Sequence, residues 1–98
     1  MQAKTVDLVN RTGKQAVLDD AYSAFQKWSR FTIVHDENAD LRIVFSRSET
    51  GNGYVATAME VFVRGETDAA FQTTVRVGGF LRDRSAKECV DDFRKRLQ

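Results

Sequence analysis

The sequence predicts an α/β (α+β) fold, with one mixed sheet of about five strands in the order β-α-β-β-β-β-α and two helices packed on one face. Three observations predict it. Two segments repeat apolar residues at spacings of three and four, and five short segments alternate apolar with polar residues. An apolar fraction of 42% over 98 residues is enough for one core and too little for two. Residues 1–98 are therefore expected to form a single domain.

Thr5 to Val9 alternates with Val6 and Leu8 on one face, a short half-buried strand. Thr12 and Gln15 have the spacing of a capping box, and Val17, Leu18, Ala21, Tyr22, Phe25 and Trp28 follow at helical intervals, so a helix is expected from about 13 to 29. Phe31 to Val34 is β-branched and aromatic, and Leu41 to Phe45 sets Leu41, Ile43 and Phe45 against Arg42 and Val44; both read as strands. Ser46 to Gly53 reads as a loop from its Ser, Gly and Asn content. Tyr54 to Arg64 is a long strand with Val55, Thr57, Met59, Val61 and Val63 on one side. Beyond a turn around Gly65 to Asp68, Phe71, Thr73, Val75 and Val77 alternate, and the two strands are expected to pair as an antiparallel hairpin. Ser85 and Glu88 repeat the capping-box spacing ahead of a terminal helix whose stripe is Ala86, Cys89, Val90, Phe93 and Leu97.

A strand, a helix of about 17 residues and another strand fit a crossover joining parallel neighbours. The later strands have connections suited to antiparallel pairing or to a shift along the sheet. With both helices on one face, the other is left wetter and carries Arg42, Glu60, Arg64, Gln72 and Arg76. Arg42, Arg64 and Arg76 are the candidate partner-binding residues, placed to select an acidic protein.

Charge narrows the function. Fifteen Lys plus Arg against fourteen Asp plus Glu leave +1, far from the balance of an electrostatically driven nucleic-acid binder. One cysteine makes no internal disulfide and no four-cysteine zinc site. No stretch reaches the roughly 20 apolar residues of a membrane span, and residues 1–10 lack the apolar run of a signal peptide. The expected location is periplasmic or secreted if a leader was removed, and cytoplasmic if Met1 is native.

The residue types that carry chemistry are sparse. His35, Asp36, Glu37 and Asp40 are the one cluster suited to a general base or a hard cation, but such residues also fill ordinary turns, and no second histidine or calcium-loop pattern accompanies them. Gly51-Asn52-Gly53-Tyr54-Val55-Ala56 matches a dinucleotide fingerprint in spelling, yet it enters a strand where the fingerprint must open a helix. Gly13-Lys14 lacks the rest of a phosphate loop. Cys89 falls on an apolar stripe, where a thiol is a small hydrophobe with a raised pKa. Asn10-Arg11-Thr12 spells a glycosylation sequon to which no role is attached. No catalytic residue, metal or cofactor is expected, and the chain is read as a non-enzyme.

The end of the chain is its most basic part, with Arg82, Arg84, Lys87, Arg94, Lys95 and Arg96 interrupted by Asp83, Glu88, Asp91 and Asp92. Interleaved signs mark a solvated helix face. Arg84-Ser85-Ala86-Lys87-Glu88 also looks like the start of the last helix of double-stranded RNA-binding domains, where basic residues touch phosphates across a groove. That alternative would use Arg82, Arg84 and Lys87. Nucleic acid is the less favoured partner because the whole chain is nearly neutral.

Lys27-Trp28-Ser29-Arg30-Phe31-Thr32-Ile33-Val34, followed by Ala39-Asp40-Leu41, resembles a recurrent Lys-Trp-Gly-Arg-Phe, Val-Asp-Asp, Ala-Asp-Leu pattern of small bacterial envelope or secreted proteins. Ser29 stands where that pattern has Gly, and His35 where it has Asp. The resemblance covers about residues 13 to 45, and the Cys89-Val90-Asp91-Asp92-Phe93 helix fits it in position. It implies an envelope location and a shape similar to the α/β modules of periplasmic and outer-membrane assembly proteins, and no catalytic residue. The chain is read as a non-enzymatic interaction or scaffold domain of the bacterial cell envelope that uses its open sheet face or a sheet edge, where unpaired backbone groups could take a partner strand.

Overall fold

A computed structural model describes residues 3–49, 53–78 and 85–97. In chain order they form β1 (Thr5–Asn10), α1 (Gln15–Trp28), β2 (Thr32–Ile33), β3 (Leu41–Glu49), β4 (Tyr54–Val63), β5 (Phe71–Gly78) and α2 (Ser85–Leu97). The five strands make one mixed sheet in the order β2-β1-β3-β4-β5. β1 runs parallel to β2 and β3 on either side of it, and β3, β4 and β5 are antiparallel neighbours. The expected fold class and the β4–β5 hairpin are therefore both present.

Alternation fixes the faces. Val6 and Leu8 on β1, Leu41, Ile43 and Phe45 on β3, and Val55, Met59 and Val61 on β4 are buried. From the helices, Val17, Ala21 and Phe25 of α1 and Ala86, Cys89, Val90 and Phe93 of α2 close the same core, so both helices cover one face of the sheet. An aromatic cluster seals one end. Phe93 lies 5.7 Å from Trp28, 6.2 Å from Phe31 and 5.4 Å from Phe71 between ring centroids. Trp28 also stacks on Phe25 at 6.0 Å and meets the edge of Phe31 at 5.2 Å.

Three local expectations change. Ser46 to Glu49 is strand: β3 continues opposite Ala58, Thr57, Ala56 and Val55 of the ten-residue β4, which supplies ladder partners that the Ser-rich composition does not advertise. Phe31 to Val34 contributes only Thr32–Ile33 as strand: the Val34 N–H still reaches the Val6 carbonyl at 2.8 Å, and the chain then leaves β1 for a turn in which the Asp36 carbonyl accepts the Ala39 N–H at 3.0 Å. The capping box at Thr12 does not form. Lys14 is the N-cap and has no side-chain cap bond, while the Thr12 hydroxyl donates to Asn10 Oδ1 at 2.6 Å and accepts the Lys14 N–H at 3.1 Å. Asn10 also takes the Thr12 N–H, so the turn into α1 is held by its own side chains.

At the other end of α1, Ser29 has φ 62° and its N–H reaches the Phe25 carbonyl at 3.1 Å, a left-handed C-cap. A Cβ is strained in this left-handed backbone, which glycine adopts freely. Ser29→Gly is expected to raise the unfolding free energy by about 1 kcal/mol, read as a higher urea midpoint. An unchanged or lower midpoint contradicts the cap assignment.

α2 is fixed by polar contacts as well as by its stripe. The Ser85 hydroxyl donates to Thr57 Oγ1 at 2.6 Å in the buried interior. Asp20 of α1 accepts the Lys87 N–H at 2.8 Å, and the Thr73 hydroxyl of β5 donates to Asp92 at 2.8 Å.

Candidate interaction face

The sheet face away from the helices is laid out in rows by the strand register. Asp7, Arg42 and Phe62 form one row, and Val9, Val44, Glu60 and Gln72 the next. Ser46, Ala58 and Thr74 follow, then Ser48, Ala56 and Arg76, then Tyr54 with Gly78. Val44 lies on this side but is only 6% exposed, covered by its neighbours, and the apolar surface of the face comes from half-buried Val9, Ala58 and Phe62.

At the Asp7 end lies a depression of about 280 Å³. Asp7, Val9, Arg42 and Phe62 form its floor, and the turns carrying Asp36–Glu37 and Arg64–Glu66 form its rim. The Arg42 guanidinium sits over the Phe62 ring at 5.5 Å, a cation–π contact that holds the side chain across the floor. Arg64 Nη1 donates to the Asn38 carbonyl at 2.9 Å and lies 3.8 Å from Asp40. The depression thus offers both charge signs beside one aromatic ring.

The three arginines expected to act together do not form one patch. Arg42 and Arg64 line the depression, whereas Arg76 pairs with Ala56, six residues along β4 from the Phe62 partner of Arg42, or about 20 Å at strand rise. Alternation puts Arg42 and Arg76 on one face; the register sets how far apart they are. Asp7, Phe62 and Glu66 escaped the sequence reading as lining residues. A signal was present for Phe62, an aromatic at a solvent-side position of an alternating strand.

Within the His35 cluster, Asp36 and Asp40 are engaged in local hydrogen bonds. His35, Asp36 and Glu37 are exposed, and Asp36 Oδ1 accepts the Asn38 N–H at 2.9 Å in a turn. Asp40 ties β1 to the start of β3: its Oδ2 accepts the backbone N–H groups of Lys4 at 2.8 Å and Thr5 at 3.2 Å, while its own N–H donates to the Thr5 hydroxyl at 2.9 Å. Among the described residues no group of three His, Cys, Asp or Glu is placed to hold a metal.

The two amide donors, Lys4 first, hold the Asp40 carboxyl below its ordinary value of 3.8. A depressed carboxyl pKa favours the fold when ionised, so this contribution is present above 3.8 and is lost as pH falls through the lower folded value. Asp40→Asn is expected to flatten the fall of the urea midpoint over that acidic window. Parallel wild-type and variant curves contradict the assignment.

Cys89 is fully buried against the Thr57 carbonyl at 3.5 Å, and burial, aided by Asp92, pushes its thiol up to about 12. It fills the core as its stripe position predicts. In the glycine-rich stretch, Gly51 and Asn52 lie outside the described residues, and the remainder runs into β4. For the duplex-RNA alternative, Arg82 and Arg84 lie outside the described residues. Lys87 is exposed with Nζ 3.7 Å from Asp91, and the start of α2, where that reading needs a phosphate, receives the carboxylate of Asp20 instead. The arrangement does not support RNA binding.

No protein-family model matches the sequence, and no curated protein matches it. Solved structures share the fold. The PelC dodecamer from Paraburkholderia phytofirmans superposes with a TM-score of 0.61 at 15% identity, covering 94% of this chain and 86% of that one. A minor lipoprotein from Acinetobacter baumannii gives 0.57 at 8% identity over 99% and 91% of the two chains. A Xanthomonas campestris protein of the DUF330 family gives 0.58 at 7% identity over 99% and 82%. At these identities the likeness is one of fold.

Proposed function

We propose that this chain is a non-enzymatic interaction or scaffold domain of the bacterial cell envelope that meets a protein partner with the open face of its sheet. The observation that carries the reading is the face itself. It has half-buried apolar side chains at Val9, Ala58 and Phe62, a mixed-charge depression at one end, and Arg76 and Tyr54 at the other, with both helices on the opposite side. The fold likeness to a minor lipoprotein supports an envelope location, and the likeness to a dodecamer supports a role in assembly. Within the depression, Arg42 and Arg64 are the groups to receive carboxylates from the partner, while the facing acids at Asp7, Asp36, Glu37 and Glu66 make charge register part of its selectivity.

The test places a photo-crosslinking residue at exposed Ser48 in the native host and combines it with cell fractionation. The chain is expected in the envelope or secreted fraction, joined to an envelope protein. The adduct should disappear when Arg42, Arg64 and Arg76 are all reversed to Glu. A cytoplasmic location, or an adduct indifferent to the reversal, overturns the proposal.

A further inference from the structure

β5 is an edge of the sheet. Among the described residues it pairs with β4 on one side and with no strand on the other. Natural proteins blunt such edges with Lys, Pro, bulges or short length. β5 has eight residues, no Lys and no Pro, and its one charge is Arg76. At its end the Tyr54 ring lies against Gly78 so closely that a Cβ there would come within 2.7 Å of the ring, an aromatic cover over glycine.

We infer that the partner for this edge is β5 of a second copy of the chain, paired antiparallel about a two-fold axis at Thr74. In that register Thr74 faces Thr74, Thr73 faces Val75, Gln72 faces Arg76 and Phe71 faces Val77, so the strand is used almost end to end. Opposed residues keep to their own face of the sheet, as antiparallel pairing requires.

Charge selects both the occupant and the register. Glu60 and Arg76 sit on the open face, and among the described residues neither side chain has an ion pair or a hydrogen bond. Within one chain they are four residues apart along the hairpin, since Glu60 pairs with Gln72 and Arg76 with Ala56, a separation of about 13 Å at strand rise. In the paired state the row that begins Glu60–Gln72 continues to the second copy's Arg76. The two backbones are then about 10 Å apart, two strand spacings, which the summed reach of an Arg and a Glu side chain spans. The two-fold axis makes this contact twice, each copy's Glu60 meeting the other's Arg76. Gln72 lies between them, so no like charges face each other across the seam.

Sedimentation velocity on the purified chain over a wide concentration range tests the pairing directly. The wild type is expected to move from monomer to a species of twice its mass as concentration rises. Thr74→Lys, at an exposed position, places two ammonium groups face to face on the axis and should leave only monomer. Glu60→Arg and Arg76→Glu should each weaken the dimer by about tenfold or more, and the double reversal, which restores opposite charges in the same row, should recover it. Circular dichroism confirms that each variant is folded. A wild type that is monomeric at every concentration, a dimer indifferent to Thr74→Lys, or a double reversal no tighter than the singles overturns the inference. None of these outcomes depends on where in the cell the chain resides, so they are separable from failure of the envelope reading.

Discussion

Replacing Phe93 with alanine is expected to cost about 3 to 5 kcal/mol of unfolding free energy, the largest effect anticipated for a single substitution in this chain. Phe93 is 1% exposed, and its ring touches three others that come from α1, from the α1–β2 junction and from β5. Truncation removes the transfer energy of the ring and leaves a cavity among neighbours held by separate elements, which cannot collapse together into the gap. A domain of this size has a total stability of roughly 5 to 15 kcal/mol, so the variant should be poorly folded at 37 °C. Urea unfolding followed by fluorescence and circular dichroism checks this. A loss under about 1 kcal/mol contradicts the place given to Phe93 in the core.

Trp28→Ala is the second large effect, expected at about 2 to 3 kcal/mol. The indole makes ring contacts with Phe25, Phe31 and Phe93 but is only half-buried, so less surface returns to water on truncation than a fully enclosed Trp would lose. Because Trp28 and Phe93 touch, the double variant should lose less than the sum of the singles, by about 0.5 to 1.5 kcal/mol. Additive losses contradict direct ring contact as the source.

The sheet faces and helix stripes were legible in the sequence because each depends on a short repeat along the chain. Val55, Met59 and Val61 on β4, and Ala86, Cys89, Val90 and Phe93 on α2, are buried as their spacing requires. What the spacing does not contain is the partner. Ser46 to Glu49 has the composition of a loop and becomes strand because β4 lies beside it. Thr12 and Gln15 satisfy a capping pattern, yet Asn10 engages the Thr12 hydroxyl first. The candidate site divides in the same way. Alternation assigned Arg42 and Arg76 to the open face, but only the strand register shows that Arg42 shares a depression with Arg64, Phe62 and four carboxylates while Arg76 stands with Ala56 at the far end. Asp40 is a further case: its sequence position beside Asp36 and Glu37 suggests an acidic cluster, and backbone amides 35 and 36 residues away claim its carboxylate.

The sheet is terminated unequally. At one end β2 has two residues, too few to template another chain, while at the other β5 has eight. Among the described residues β5 is therefore the longer uninterrupted edge, since β2 leaves only Asp7 to Asn10 of β1 without a strand partner on its side, and pairing through β5 would use up that edge in both molecules at once. A two-fold pairing through the long edge would be closed and countable and would leave only the short edge free, where a sheet with two long edges would be exposed to fibre formation.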